Sequence, residues 1–251
     1  MPRQSTPKRT LFIGATHGDE PIGVAALRRL DASSTVGYDW IVGNERAFIR
    51  GTRYTEQDLN RSAPGDPVSD IYEARRAAEV LALAKTYDYT IDIHGTIEPT
   101  GIFIIITNPR PENWQLAASL PIDRIVYWPS ITPELAGPLS EYVPCGLEIE
   151  CGVKSDPAIL DELVDILKQG IPTLSKGLID LPRATEVLKK REIYEVTGSL
   201  PADENDDRIL REFQPIVIGD KTVYPLLVGT YRESYGLDCF IMEKRTIKAY
   251  L

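Results

Sequence analysis

The chain has 251 residues, 43% apolar and 26% charged, enough for a sizeable core in one large domain or in a medium domain with a small one. Its formal net charge is −9, from 28 basic and 37 acidic side chains. That balance excludes non-specific nucleic-acid binding, which needs a basic surface, but leaves room for a local basic pocket. No stretch approaches the roughly 18 apolar residues of a membrane span, and the basic N-terminus (residues 1–9) leads into no signal-like apolar core. Cys145, Cys151 and Cys239 show no C-x-x-C pairing. An odd, scattered set suits a reducing compartment, so a cytoplasmic protein without nucleic-acid or membrane partners is expected.

Residues 10–14 form a short apolar run ending at Gly14, which predicts a buried strand. A loop, Thr16-His17-Gly18-Asp19-Glu20, follows. Pro21 then suits the first turn of a helix whose apolar face is Ile22, Val24, Ala25, Ala26, Leu27 and Leu30. Residues 38–42 read as a second strand. Residues 44–67 are polar, charged and irregular, and a loop of that length is usually functional or mobile. Ser69 or Asp70 can cap a helix running to about Lys85. Residues 87–94 predict a third strand, in which Ile91 and Ile93 alternate with Asp92 and His94, and 101–107 a fourth, whose continuous apolar run suits burial on both faces. A helix at 111–119, extended segments at 124–128 and 146–151, and a helix opening at Asp156-Pro157 and weakening near Gly170 and Pro172 complete this part.

Strands and helices alternate to about Leu181, which predicts an α/β domain with a parallel or mixed sheet over residues 1–181. Beyond Pro182 the strand-like runs are short (192–197, 215–218, 222–228 and 238–243), and 203–207 reads as a solvated acidic loop. A small β domain is expected over 182–251.

The chain contains two histidines. Each is followed by glycine, and each lies at or just past the carboxyl end of a predicted strand, the edge where ligands bind in open α/β sheets. Neutral imidazole is a common metal ligand, and Glu20, three residues after His17, can reach the same ion. His17, Glu20 and His94 would hold one zinc ion per chain with a position left for water, the arrangement of a catalytic site. Asp92 shares a strand face with His94 and can orient its ring from behind.

Four motifs in order, Thr16-His17-Gly18-Asp19-Glu20, Asp58-Leu59-Asn60-Arg61, Asp92-Ile93-His94 and Ile149-Glu150-Cys151-Gly152, resemble the aspartoacylase and succinylglutamate desuccinylase family, part of the wider zinc-carboxypeptidase fold group. The likeness covers roughly the first 150 residues, and a small C-terminal β domain fits the family plan. The resemblance implies a zinc-carboxypeptidase-like mixed sheet flanked by helices, with His17, Glu20 and His94 as zinc ligands. It implies Glu150, rather than Glu148, as general base and acid, and Arg53 as the cation that helps polarise the scissile carbonyl. Asn60 and Arg61 would grip a substrate carboxylate. A tyrosine of the C-terminal region would close the pocket; Tyr235 is preferred, with Tyr231 next.

The expected activity is zinc-dependent hydrolysis of the acyl-amide bond of a small anionic N-acyl amino acid. The alternatives are a zinc carboxypeptidase acting on short peptides and a zinc-pocket binding protein without turnover. The sequence leaves a homo-oligomer open. Two departures bear on the substrate. Acyl-aspartate hydrolases have an arginine shortly before the catalytic glutamate, whereas residues 125–149 contain no Arg or Lys. Gly95 stands where such proteins often have asparagine.

Overall fold

The computed structural model describes residues 6–31, 37–130, 136–203 and 208–251. Part of the basic N-terminus (1–5) and most of the acidic 203–207 run lie outside the described residues. The strands are β1 (Thr10–Gly14), β2 (Tyr38–Val42), β3 (Tyr89–Thr96), β4 (Gly101–Ile106), β5 (Arg124–Tyr127), β6 (Gly146–Gly152), β7 (Glu192–Pro201), β8 (Ile216–Ile218), β9 (Lys221–Leu226) and β10 (Leu237–Arg245). They form a ten-stranded sheet in the order β2-β1-β3-β6-β4-β5-β7-β10-β9-β8. The first four positions in that order are parallel. β4 is antiparallel to β6, β5 and β7 continue parallel, and the last three strands are antiparallel. This is the expected mixed sheet, and β7 extends it into the C-terminal strand region.

The helices are α1 (Ile22–Asp31), α2 (Glu45–Arg50), α3 (Tyr72–Ala84), α4 (Pro111–Ala118), α5 (Leu139–Tyr142), α6 (Pro157–Leu174), α7 (Leu181–Leu188) and α8 (Arg232–Tyr235). No helix among the described residues is long and apolar enough to cross a membrane. Cys145, Cys151 and Cys239 are buried and unpaired.

Period-two alternation builds two different faces. Ile91, Ile93, Ile104, Ile106, Leu147, Ile149 and Cys151 point to one side, where α1, α4, α6 and α7 close a large apolar core. On the other side Leu11 and Ile13 pack with Ala77, Val80 and Leu81 of α3. Farther along that side, Phe103, Ile105 and Val126 pack with Tyr194, Leu226 and Phe240. Between these two clusters the same face carries Asp92, His94, Glu148 and Glu150, all buried. The core on the opposite face fixes the register of β3 and β6, and register sets where those polar side chains stand.

The structure corrects three local expectations. The 44–67 loop contains α2 and a 3₁₀ turn at Leu59–Arg61. Neither Ser69 nor Asp70 caps α3, because Glu56, from the loop, accepts the Tyr72 N–H at 2.6 Å. α6 continues through Gly170 and Pro172 to Leu174, held by Leu163, Leu167, Ile171 and Leu174 in the core. Packing there outweighs the cost of an internal proline.

Candidate metal centre and its cleft

β1 delivers the first motif. Ala15 takes a left-handed conformation (φ 56°) and turns the chain out of the strand. The loop then passes so close to α2 that a Cβ on Gly18 would lie 2.1 Å from the Ala47 carbonyl carbon. Only glycine fits that approach. The Gly18 N–H donates to the Arg53 carbonyl at 3.1 Å, tying the motif to the long loop. That loop is fastened in turn by Glu73, fully buried on α3. Its carboxylate accepts the Thr55 N–H and hydroxyl at 2.8 and 2.6 Å and the Asn44 amide at 3.1 Å.

The three residues expected to hold a metal come together. Nδ1 of His17 lies 2.9 Å from Glu20 Oε1, and Nδ1 of His94 lies 3.2 Å from Oε2 of the same carboxylate. Ligand atoms of the three side chains all fall within 4.8 Å of one another, and each residue is about 95% or more buried. Each ring also has a carboxylate behind it. His17 Nε2 is 3.0 Å from Asp58 Oδ1. His94 Nε2 is 3.1 Å from Asp92 Oδ2, though without hydrogen-bond alignment. Asp92 is held by the Thr16 hydroxyl at 2.8 and 2.9 Å. A proton on each Nε2, facing a carboxylate, leaves both Nδ1 lone pairs directed at the Glu20 side, the pattern in which histidine binds zinc. Two imidazoles and one carboxylate in a buried pocket fit a zinc ion by donor type and spacing. Asp92, His94 and Glu148 form a second close group, but it offers a single imidazole and its acids already accept hydrogen bonds from neighbouring side chains.

The electrostatics follow from burying so many charges. Burial opposes charge on both histidines, yet Glu20 and Asp58 raise His17 and Asp92 raises His94 above the ordinary imidazole value. Burial would lift Asp58, but His17 and Arg53 outweigh it and hold the carboxyl low. Arg53 donates to Asp58 at 3.3 and 3.4 Å and to Glu20 at 3.4 Å. Burial disfavours its charge, and Asp58, Tyr231 and Glu20 reverse that. Glu150 sits opposite His94 in the β3–β6 register. Its carboxyl is pushed up to about 8, first by burial and then by Glu20.

These residues line a cleft of about 610 Å³, a volume typical of small-molecule sites. Arg61 reaches it with a buried Nε that has no partner, while one of its terminal nitrogens donates to the Asn60 carbonyl at 2.7 Å. Asn60 itself acts as a strut: its Oδ1 accepts the Leu139 N–H at 3.0 Å and its amide donates to Glu148 at 3.4 Å. Tyr235 does not line the cleft and is 41% exposed. Tyr231 lines it instead, because the chain enters the cleft wall at residues 227–231 and α8 then carries Tyr235 outward. Of the two tyrosines named from the sequence, Tyr231 is thus the one at the cleft. Gly95 has a physical reason: a Cβ there would lie 2.7 Å from Lys154 Cβ and 3.0 Å from Ile22 Cγ2. The sequence alone assigns no role to Asp58 or Thr16, which the structure sets behind His17 and Asp92. The available signal was a carboxylate heading the Asp58–Arg61 run, whose partner His17 lies 41 positions away.

Residues 6–156 match the family model described as the succinylglutamate desuccinylase/aspartoacylase catalytic domain. The chain belongs to this family. A probable aspartoacylase from Prochlorococcus marinus (strain MIT 9215) is 27% identical over 91% of each chain. Another, from Nostoc sp. (strain PCC 7120), is 26% identical over 95% of this chain and 97% of its own length. Among solved structures, murine aminoacylase 3 superposes with a TM-score of 0.69 at 19% identity, covering 96% of this chain and 97% of that one. The succinylglutamate desuccinylase from Chromobacterium violaceum gives 0.69 at 14% identity, covering 95% and 85%. The family fold, a mixed sheet flanked by helices, thus spans nearly the whole chain.

Proposed function

We propose that this chain is a zinc-dependent amidohydrolase that removes the acyl group from a small N-acyl amino acid. The observation that carries the reading is the convergence of His17 and His94 Nδ1 on the two oxygens of Glu20, with the buried Glu150 opposite His94. The family's named members, an aspartoacylase, an aminoacylase and a desuccinylase among them, point to the same bond type. His17, Glu20 and His94 would hold one zinc ion, which when bound supplies Lewis-acid polarisation and lowers the pKa of water.

The chain's own groups do the rest. Glu150 takes a proton from water and returns it to the leaving nitrogen. Its raised pKa suits the second task, and positive charge at the three-donor site would draw it back toward accepting a proton at neutral pH. Arg53, held by Glu20 and Asp58, offers a fixed cation to negative charge developing on the scissile carbonyl oxygen. Arg61 presents its free Nε to the substrate's α-carboxylate, with the fork geometry that arginine alone provides. Tyr231 closes the cleft from the C-terminal side. The size of the cleft favours a small acyl amino acid over a peptide.

The test is Glu150→Ala in metal-supplemented protein, assayed on a panel of N-acyl amino acids and short peptides, with metal content measured in parallel. We expect zinc to be retained and turnover to fall by about 10²–10⁴-fold. Unchanged turnover would remove Glu150 from the chemistry, and turnover confined to peptides would shift the reading to a carboxypeptidase.

A further inference from the structure

Glu148 is a buried acid of the cleft that this chemistry leaves unused. It stands two residues before Glu150 on the same face of β6, beside Asp92 on β3 and Ile105 on β4. It is 95% buried by the measure of its 5% exposure. Oε1 accepts hydrogen bonds from the Ser140 hydroxyl at 2.8 Å and the Asn60 amide at 3.4 Å, both neutral donors. Among the described residues Oε2 accepts none, and Glu148 forms no ion pair.

Among the described residues none of the cleft's Lys and Arg side chains pairs with Glu148: Arg61 keeps a free Nε, and the others are engaged elsewhere. Lys154 is paired with Asp19 at 3.0 Å, Arg232 with Asp238 at 3.1 Å, and Arg53 with Glu20 and Asp58. The wall beyond Glu148 holds Ile105, Thr107, Trp128 and Ser130, with no basic side chain among its described residues. A buried carboxylate with a free oxygen, beside an apolar and aromatic wall, is a receptor for a cation on a short hydrocarbon stem. It would repel the second carboxylate of an acidic amino acid.

We infer that Glu148 selects N-acyl amino acids whose side chain ends in an ammonium group, the α-N-acyl derivatives of diamino acids. Glu148 binds the ammonium through Oε2, Ile105 and Trp128 cover the methylene stem, and Arg61 takes the α-carboxylate. This rests on the hydrolase reading above and names the substrate class of the same cleft.

The test compares kcat/KM of the zinc-loaded wild type for Nα-acetyl-lysine and for Nα-acetyl-norleucine, whose side chain ends in a methyl group. The lysine derivative is expected to be favoured at least about tenfold, the scale of one hydrogen bond to a charged group. Glu148→Gln keeps an acceptor for Ser140 and Asn60, and should bring that ratio within about threefold. A wild-type ratio near one, or a ratio unchanged in Glu148→Gln, overturns the inference. The wild-type ratio needs no variant, so it decides even if the substitution misfolds. Calorimetric binding of the two compounds to zinc-loaded Glu150→Ala separates the readings. A tenfold preference there supports the role of Glu148 even if the wild type hydrolyses neither compound, an outcome that would sink the amidohydrolase assignment instead. Equal binding there overturns the role of Glu148, whatever the turnover.

Discussion

Replacing Asp58 by asparagine tests whether the centre is organised as described. Asp58 faces His17 Nε2 at 3.0 Å in a nearly closed environment, with side-chain exposures of 5% for His17 and 13% for Asp58. A hydrogen bond to a charged partner contributes about 1.5–3 kcal/mol and a neutral one about 0.5–1.5. Exchanging the carboxylate for an amide oxygen should therefore cost the His17–metal interaction about 1–2 kcal/mol, or about 5- to 30-fold in affinity. That overlaps the lower part of the roughly 10- to 100-fold range for groups that orient metal-binding histidines. Asp58 also caps the following turn by accepting the Asn60 N–H at 2.8 Å, but asparagine caps equally well. The cap is therefore kept, and what the metal-free fold loses is the ion pairs of Asp58 with His17 and Arg53. Alanine removes cap and partner together and should cost a further 0.5–2 kcal/mol or so of folding stability. The assay is competition for zinc against a chromophoric chelator at pH 8, with thermal unfolding of the metal-free proteins alongside. A folded Asp58→Asn protein that binds zinc within twofold of wild type would refute the orienting role.

Gly18→Ala should destabilise the protein by at least about 3 kcal/mol, since the new methyl meets the backbone of α2 rather than a movable side chain. For a chain of this size that is roughly 6–12 °C in Tm, and a Tm within 2 °C or so of wild type would contradict the close approach. Tyr231→Phe should lower kcat/KM about tenfold and Tyr235→Phe less than about twofold; the reverse order would restore the sequence-based choice of Tyr235. Glu212, whose carboxylate accepts the Leu227 and Val228 N–H groups at 2.9 and 2.6 Å, is pushed up to about 7, chiefly by burial against those two hydrogen bonds, from an ordinary 4.5. The folded state then holds a proton that the unfolded state has released. Stability from this group therefore falls as pH rises from about 4.5 to about 7 and is level above that. Glu212→Gln should remove a loss of about 1–2 kcal/mol, discounted for partial exposure. Denaturant unfolding at pH 5 and pH 8 reads it, and an identical pH slope in both proteins would refute it.

The alternation of Ile91 and Ile93 with Asp92 and His94 was legible because strand periodicity is local and both faces of β3 are buried for different reasons. The Asp156 cap of α6 was legible for the same kind of reason, since its side chain accepts the Ala158 N–H at 2.8 Å, two residues on. What was missed depends on partners distant in sequence. The order within residues 44–67 is imposed by Glu73 from α3, and the start of α3 by Glu56 from the loop. Asp58 reveals its function only once His17 stands against it. Tyr231 and Tyr235 are four positions apart in one short segment, and only the path of the chain along the cleft wall separates them.

The same alternation explains how a site of this kind can change its substrate without disturbing its fold. Leu147, Ile149 and Cys151 face the core and fix β6 in place, while Glu148 and Glu150 face the cleft between two apolar clusters. With β6 in register, Glu150 must lie beside His94 and Glu148 beside Asp92, one strand spacing of about 4.8 Å away. The position two before Glu150 therefore lies at the cleft, and its side chain contributes to the cleft rather than to the core. On the inference above, a carboxylate there, together with a stretch before it that holds no arginine or lysine, would set the charge preference of that wall toward cations. The donors that would hold the metal are left where they were.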